Sequence, residues 1–79
     1  MEKTEILKKI NKIFIDVLDD ENVLLNETST AGDINGWDSL THIQLVVSIE
    51  KHFKIRFTSK EIQCWQNVGE MCNSIIQKN

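Results

Sequence analysis

Apolar residues in this chain recur with helical periodicity and never in the sustained alternation of a strand. The first block is Ile6, Leu7, Ile10, Ile13, Phe14, Val17 and Leu18. Spacings of this kind put every member on one face of a helix. Glu2 and Glu5 lie near its start, where the helix dipole favours anions. The run closes at Asp19-Asp20-Glu21-Asn22. Residues 19–38 then read as a long connection rich in turn formers, among them Asn26, Ser29, Gly32, Asp33, Asn35 and Gly36. Loops of that length inside a small domain are normally tied down or functional. Val23, Leu24, Leu25 and Ile34 are expected to pin it to the core, with Trp37 doing the same at its end.

A second helix is predicted over residues 39–53 with Asp38 as its N-cap. On a wheel with Leu40 at the origin and about 100° per residue, Leu45, Ile49, Phe53, Val46 and Ile43 span roughly 140° to 300°. Those five are expected to face inward. Leu40 and Val47 fall outside that arc, beside Gln44 and Lys51, so two apolar residues should reach the helix's exposed edge. Ile55-Arg56-Phe57 alternates but is too short to be a strand without a partner. Thr58-Ser59-Lys60-Glu61 reads as a capping box opening a short helix through about Cys64. Asn67-Val68-Gly69-Glu70 opens another, carrying Val68, Met71, Cys72, Ile75 and Ile76 on one stripe. The predicted fold is all-α: three main helices and one short one in a small four-helix bundle, with a long loop between helices one and two.

With 79 residues the chain supports one core, so residues 1–79 are expected to form a single domain. The hydrophobic share of 41% and charged share of 27% are those of an ordinary globular protein. Uninterrupted apolar runs reach only three residues, too short to span a bilayer. The N-terminus has no basic start followed by an apolar stretch, and a cytoplasmic protein is expected. A net charge of −3 disfavours nucleic acid and anionic membrane surfaces as partners.

Candidate chemistry is sparse. His42 and His52, and Cys64 and Cys72, lack the tight spacing of a structural zinc site, and no metal is expected. Cys72 lies on an apolar stripe and reads as a buried thiol. Ser39 is outside any G-x-S-x-G elbow, and His42 one turn later has no evident third partner, which argues against a hydrolase. On spacing alone Asp38 and Ser39 are a cap. A serine hydroxyl in the first turn of a helix is nevertheless exposed, beside unpaired N–H donors and the positive end of the dipole. It therefore suits a phosphodiester-linked group.

The stretch Gly36-Trp37-Asp38-Ser39-Leu40-Thr41-His42-Ile43-Gln44-Leu45-Val46-Val47-Ser48-Ile49-Glu50-Lys51-His52-Phe53-Lys54-Ile55 resembles the signature of acyl carrier proteins and the related peptidyl carrier domains. Its centre is Asp-Ser-Leu at the head of an aliphatic-rich second helix. The flanking elements sit where that family has them, so the resemblance covers essentially the whole chain. It implies that Ser39 is esterified by 4′-phosphopantetheine, installed from coenzyme A by a phosphopantetheinyl transferase. Asp38 would help the transferase and its magnesium ion find the site. The resemblance further implies a non-catalytic, monomeric carrier that presents thioester cargo to acyl-loading and acyl-transferring enzymes. Leu40, Gln44, Val47 and Lys51 match the family's partner-docking positions. One departure stands out: Glu50 is the only carboxylate between Ser39 and Arg56, where many fatty-acid carriers are strongly acidic. That favours dedicated partners in a specialised pathway. With a chain about as long as the fold, action in trans is expected. The alternatives are an aminoacyl or peptidyl cargo, or an unmodified helical interaction module.

Overall fold

The computed structural model describes residues 2–78 and contains four helices: α1 (Lys3–Leu18), α2 (Ser39–Phe53), α3 (Ser59–Cys64) and α4 (Val68–Lys78). The observed architecture is the all-α one predicted from the spacing. Helix α1 packs against both α2 and α4. Ile6, Ile10 and Phe14 on α1, Leu45 and Ile49 on α2, and Val68, Met71, Cys72 and Ile75 on α4 form a fully buried core. Each of these side chains removes apolar surface worth about 1.5–3 kcal/mol for a large aliphatic or aromatic group.

The helix ends are set locally. Asp19 adopts a left-handed conformation (φ 52°) and its N–H returns to the Ile15 carbonyl, which closes α1. Lys54 does the same for α2 (φ 58°), donating to the Glu50 carbonyl. Thr58 and Glu61 form the capping box of α3, with Glu61 N–H on Thr58 Oγ1 at 3.1 Å and Thr58 N–H on Glu61 Oε1 at 2.9 Å. The same Glu61 carboxylate holds Lys78 at 2.8 Å and so ties α3 to the end of α4. That ammonium, ahead of the Thr58 amide, keeps the Glu61 carboxyl below its ordinary range.

The connection over residues 19–38 is tied down at three places. Asn11 on α1 uses both ends of its amide: Nδ2 donates to the Val23 carbonyl at 3.2 Å, and Oδ1 accepts from Leu25 N–H at 2.7 Å. Further on, the carbonyls of Glu27 and Ser29 accept the N–H groups of Gly69 and Val68 at 2.8 and 2.9 Å, which satisfies two first-turn donors of α4. Trp37 anchors the end of the loop.

Two packing expectations are corrected. Leu24 is 81% exposed, because side chains alternate along the extended 23–25 segment and Val23 and Leu25 take the inward positions. Ile43, placed at the margin of the inward arc of α2, is 63% exposed. Contact with α1 covers the centre of that arc and does not reach its edge.

Candidate functional site

Ser39 is the first residue of α2, and its side chain is exposed. Its position follows from the residues on either side. Gly36 takes φ +85°, which L side chains rarely adopt, in a turn closed by Trp37 N–H on the Ile34 carbonyl. The next side chain, Trp37, meets Phe14 of α1 edge-to-face at 4.9 Å and stacks on His42 at 5.9 Å. Its indole Nε1–H donates to His42 Nδ1 at 3.0 Å. The turn entering α2 is thus fastened both to α1 and to the second turn of the helix it opens.

Asp38 completes the cap. Its Oδ1 accepts the N–H groups of Leu40 and Thr41 at 3.0 and 2.9 Å. In return the Thr41 hydroxyl accepts from Asp38 N–H at 2.9 Å and donates to the Gly36 carbonyl at 2.7 Å. These bonds, led by that from the Thr41 amide, hold the Asp38 carboxyl below its usual range. The site therefore carries a fixed negative charge at neutral pH. They also correct one expectation: the amides of Leu40 and Thr41 are paired, and among the described residues only the Ser39 N–H of that first turn is left without a partner. An anion at Ser39 would feel the dipole, but it would not gain two vacant donors.

A cleft of about 340 Å³ opens beside Ser39, lined by Trp37, Asp38, His42, Trp65, Asn67 and Met71 among others. Trp65 forms its far wall, edge-on to His42 at 6.2 Å and to Phe57 at 4.8 Å, with its Nε1–H on Ser74 Oγ at 2.8 Å. Cys64, next to Trp65 in the chain, is exposed and lies outside this cleft. Gln66 and Asn67 add amides to the cleft; Asn67 was legible only as the residue opening α4, where its Oδ1 accepts Glu70 N–H at 3.0 Å, and Gln66 carried no signal in the sequence.

Of the other predicted positions, Leu40, Gln44, Val47 and Lys51 are all exposed and share one face of α2. Ile43 joins them, missed because it sits at the arc's margin. His42 is half-buried, and burial lowers its pKa from the ordinary value. Among the described residues no hydrogen bond links it to Ser39. Cys72 is buried, and that burial raises its thiol pKa to about 11. The described residues include no group of three or more His, Cys, Asp or Glu placed to hold a metal ion, and no helix long and apolar enough to cross a membrane.

The exposed hydroxyl, the helix N-terminus and the mixed apolar and amide lining of the cleft are compatible with an amide-containing arm attached by a phosphodiester. Comparison with known proteins points the same way. Residues 8–75 match the family described as phosphopantetheine attachment site. An acyl carrier protein of Caulobacter vibrioides is 31% identical over 75 residues, covering 95% of this chain and 96% of that protein. One from Cyanidium caldarium is 37% identical over 78 residues, covering 96% and 88%. In three dimensions the chain superposes on the solution structure of a holo acyl carrier protein from Geobacter metallireducens with a TM-score of 0.86 and 40% identity, over 91% of this chain and 83% of that one.

Proposed function

Since this chain belongs to the acyl carrier protein family, whose prosthetic group is 4′-phosphopantetheine, we propose that Ser39 is the residue that bears that group. The observation that carries the assignment is the exposed Ser39 hydroxyl at the first position of α2, on the rim of the aromatic cleft. When bound, the arm supplies a terminal thiol that holds an acyl group as a thioester. The chain's own residues hold its point of attachment in place. Asp38 and Thr41 fix the helix start, Trp37 fixes the entering turn against α1, and Gln66 and Asn67 offer amides that can pair with the arm's own amides.

The chain acts as a cosubstrate of partner enzymes and performs no catalysis of its own. It receives the arm from a phosphopantetheinyl transferase, with Asp38 as the flanking recognition residue, and then meets acyl-loading and acyl-transferring enzymes in the cytoplasm. A tether of this kind raises the effective concentration of cargo at each partner's site, so the protein-protein contact itself can be weak. Leu40, Gln44, Val47 and Lys51 form the docking face, because they are exposed on the same side of the helix that Ser39 opens. The single carboxylate between Ser39 and Arg56 supports dedicated partners in a specialised pathway.

Incubation with coenzyme A and a broad-specificity phosphopantetheinyl transferase tests the assignment. Intact mass is expected to rise by one phosphopantetheinyl group in the wild type and to stay unchanged in Ser39→Ala. A wild type that takes up nothing would overturn it.

A further inference from the structure

The one carboxylate between Ser39 and Arg56 is already engaged inside the molecule. Glu50 is half-buried, and its Oε2 accepts the Phe57 N–H at 2.8 Å. Around it stand three exposed cations, Lys51, Lys54 and Arg56, which with Val47 and Ile55 line a groove of about 560 Å³. Ion pairs among the described residues join Lys3 to Glu27 and Lys78 to Glu61, and none involves these three cations. The groove's floor is held by the left-handed cap at Lys54 and by Ile55 N–H on the Glu50 carbonyl at 3.1 Å.

The groove continues an apolar stripe. Leu40, Ile43 and Val47 are 69%, 63% and 43% exposed and follow one another at helical spacing. Lys51 and Lys54 extend the same line toward the end of α2. One face of the helix therefore runs from the Ser39 end, across three exposed aliphatic side chains, into a cluster of positive charge. Cations near a helix C-terminus are favoured by the dipole, which accounts in part for Lys51 and Lys54. It does not account for Arg56, which lies beyond the helix, or for neighbouring large aliphatics left in water. A contiguous apolar patch with a polar rim marks an interaction site.

We propose that this face docks partner enzymes that present an apolar pocket bordered by carboxylates. This is the opposite polarity to the one the chain's net charge of −3 would select. The inference rests on the carrier reading, because a partner seated here must also reach the arm at Ser39. A small anion would satisfy the cations and leave Leu40, Ile43 and Val47 wet, whereas an acidic protein surface covers both. Charges at such a rim steer the encounter and reject partners of like sign, so the pairing is salt-sensitive and excludes enzymes with basic docking patches.

The test uses 15N-labelled protein and two synthetic amphipathic helical peptides with identical apolar residues, one flanked by Glu and the other by Lys. The acidic peptide is expected to shift amide resonances over residues 40–56 and to bind about tenfold more tightly at low salt, with the preference fading as salt rises. Combined Lys51→Glu, Lys54→Glu and Arg56→Glu substitution is expected to abolish the preference. The corresponding Gln substitutions, with a dispersed amide spectrum, serve if the charge-reversed protein misfolds. Equal binding of both peptides, or shifts mapping elsewhere, would overturn the proposal. So would inorganic phosphate or phosphatidylglycerol vesicles reproducing the same shifts, since the groove would then be an anion or lipid site. Uptake of the phosphopantetheinyl group by the wild type is read separately by mass. Uptake without peptide preference defeats only the docking inference, and no uptake defeats the carrier reading.

Discussion

Trp37 and His42 hold each other across the first turn of α2, the indole N–H donating to imidazole Nδ1 at 3.0 Å with the rings stacked. Nδ1 can accept only while it carries no proton, so the pair requires neutral His42 with its proton on Nε2. Burial favours the same neutral form and lowers the pKa. The unfolded chain then binds a proton more readily than the folded one, and stability present above the ordinary histidine pKa is lost as pH falls below it. The His42 Cε1–H resonance is expected to titrate below 6.5, the ordinary value. In Trp37→Phe the midpoint should rise. An unshifted wild-type midpoint would contradict the arrangement.

Phe14 joins the site to the core, since it is fully buried and meets Trp37 edge-to-face. Phe14→Ala is expected to cost about 3–5 kcal/mol by denaturant titration, a large share of the stability of a domain this size. It should also change Trp37 fluorescence in the remaining folded protein. A loss under about 1 kcal/mol would show that the site collapses around the cavity more fully than the packing implies.

Gly69 provides a test of sign. Helix propensity alone expects Gly→Ala to stabilise α4 by roughly 1 kcal/mol. A Cβ at this position, however, would lie 2.8 Å from the Glu27 carbonyl oxygen and 3.2 Å from Asn67 Oδ1. Gly69→Ala is therefore expected to destabilise by about 1–3 kcal/mol. Amide exchange should increase at Val68 and Gly69, whose donors cap onto the loop. A more stable variant would show that the loop does not seat on α4 as described.

Asp38→Asn separates the cap from the charge. The amide oxygen can still accept from Leu40 and Thr41, so far-UV dichroism and melting should stay close to wild type, whereas Asp38→Ala should melt earlier. The rate of phosphopantetheinyl transfer is expected to fall in both. A full rate in Asp38→Asn would confine Asp38 to a capping role.

Val47→Glu places a charge on the apolar stripe without touching the core. Helicity should be unchanged, and acyl loading by the cognate enzyme should slow by about tenfold, or about 1.4 kcal/mol. Unchanged loading would remove Val47 from the docking face.

The helices were legible in the sequence because periodicity and caps agreed. The α1 stripe, Asp38 as N-cap, the Thr58–Glu61 box and the start of α4 at Val68 are each short-range consequences of local side chains. Burial at the edges was less legible. Ile43 and Leu24 are as hydrophobic as their buried neighbours, and only the placement of α1 and the direction of an extended segment decide that they face water. The loop's attachment to α4 was equally hidden, because carbonyls of Glu27 and Ser29 carry no side-chain signal. At the site, the position of Ser39 followed from the cap. The pairing of its neighbouring amides and the Trp65, Gln66 and Asn67 wall depended on three-dimensional packing.

Fragmentation of the peptides from enzymatically loaded protein tests the central claim most directly, because the chain has five serines, at 29, 39, 48, 59 and 74. The phosphopantetheinyl mass is expected on Ser39 alone. Its appearance on any other residue, or its absence from the peptide that spans the start of α2, would contradict the assignment.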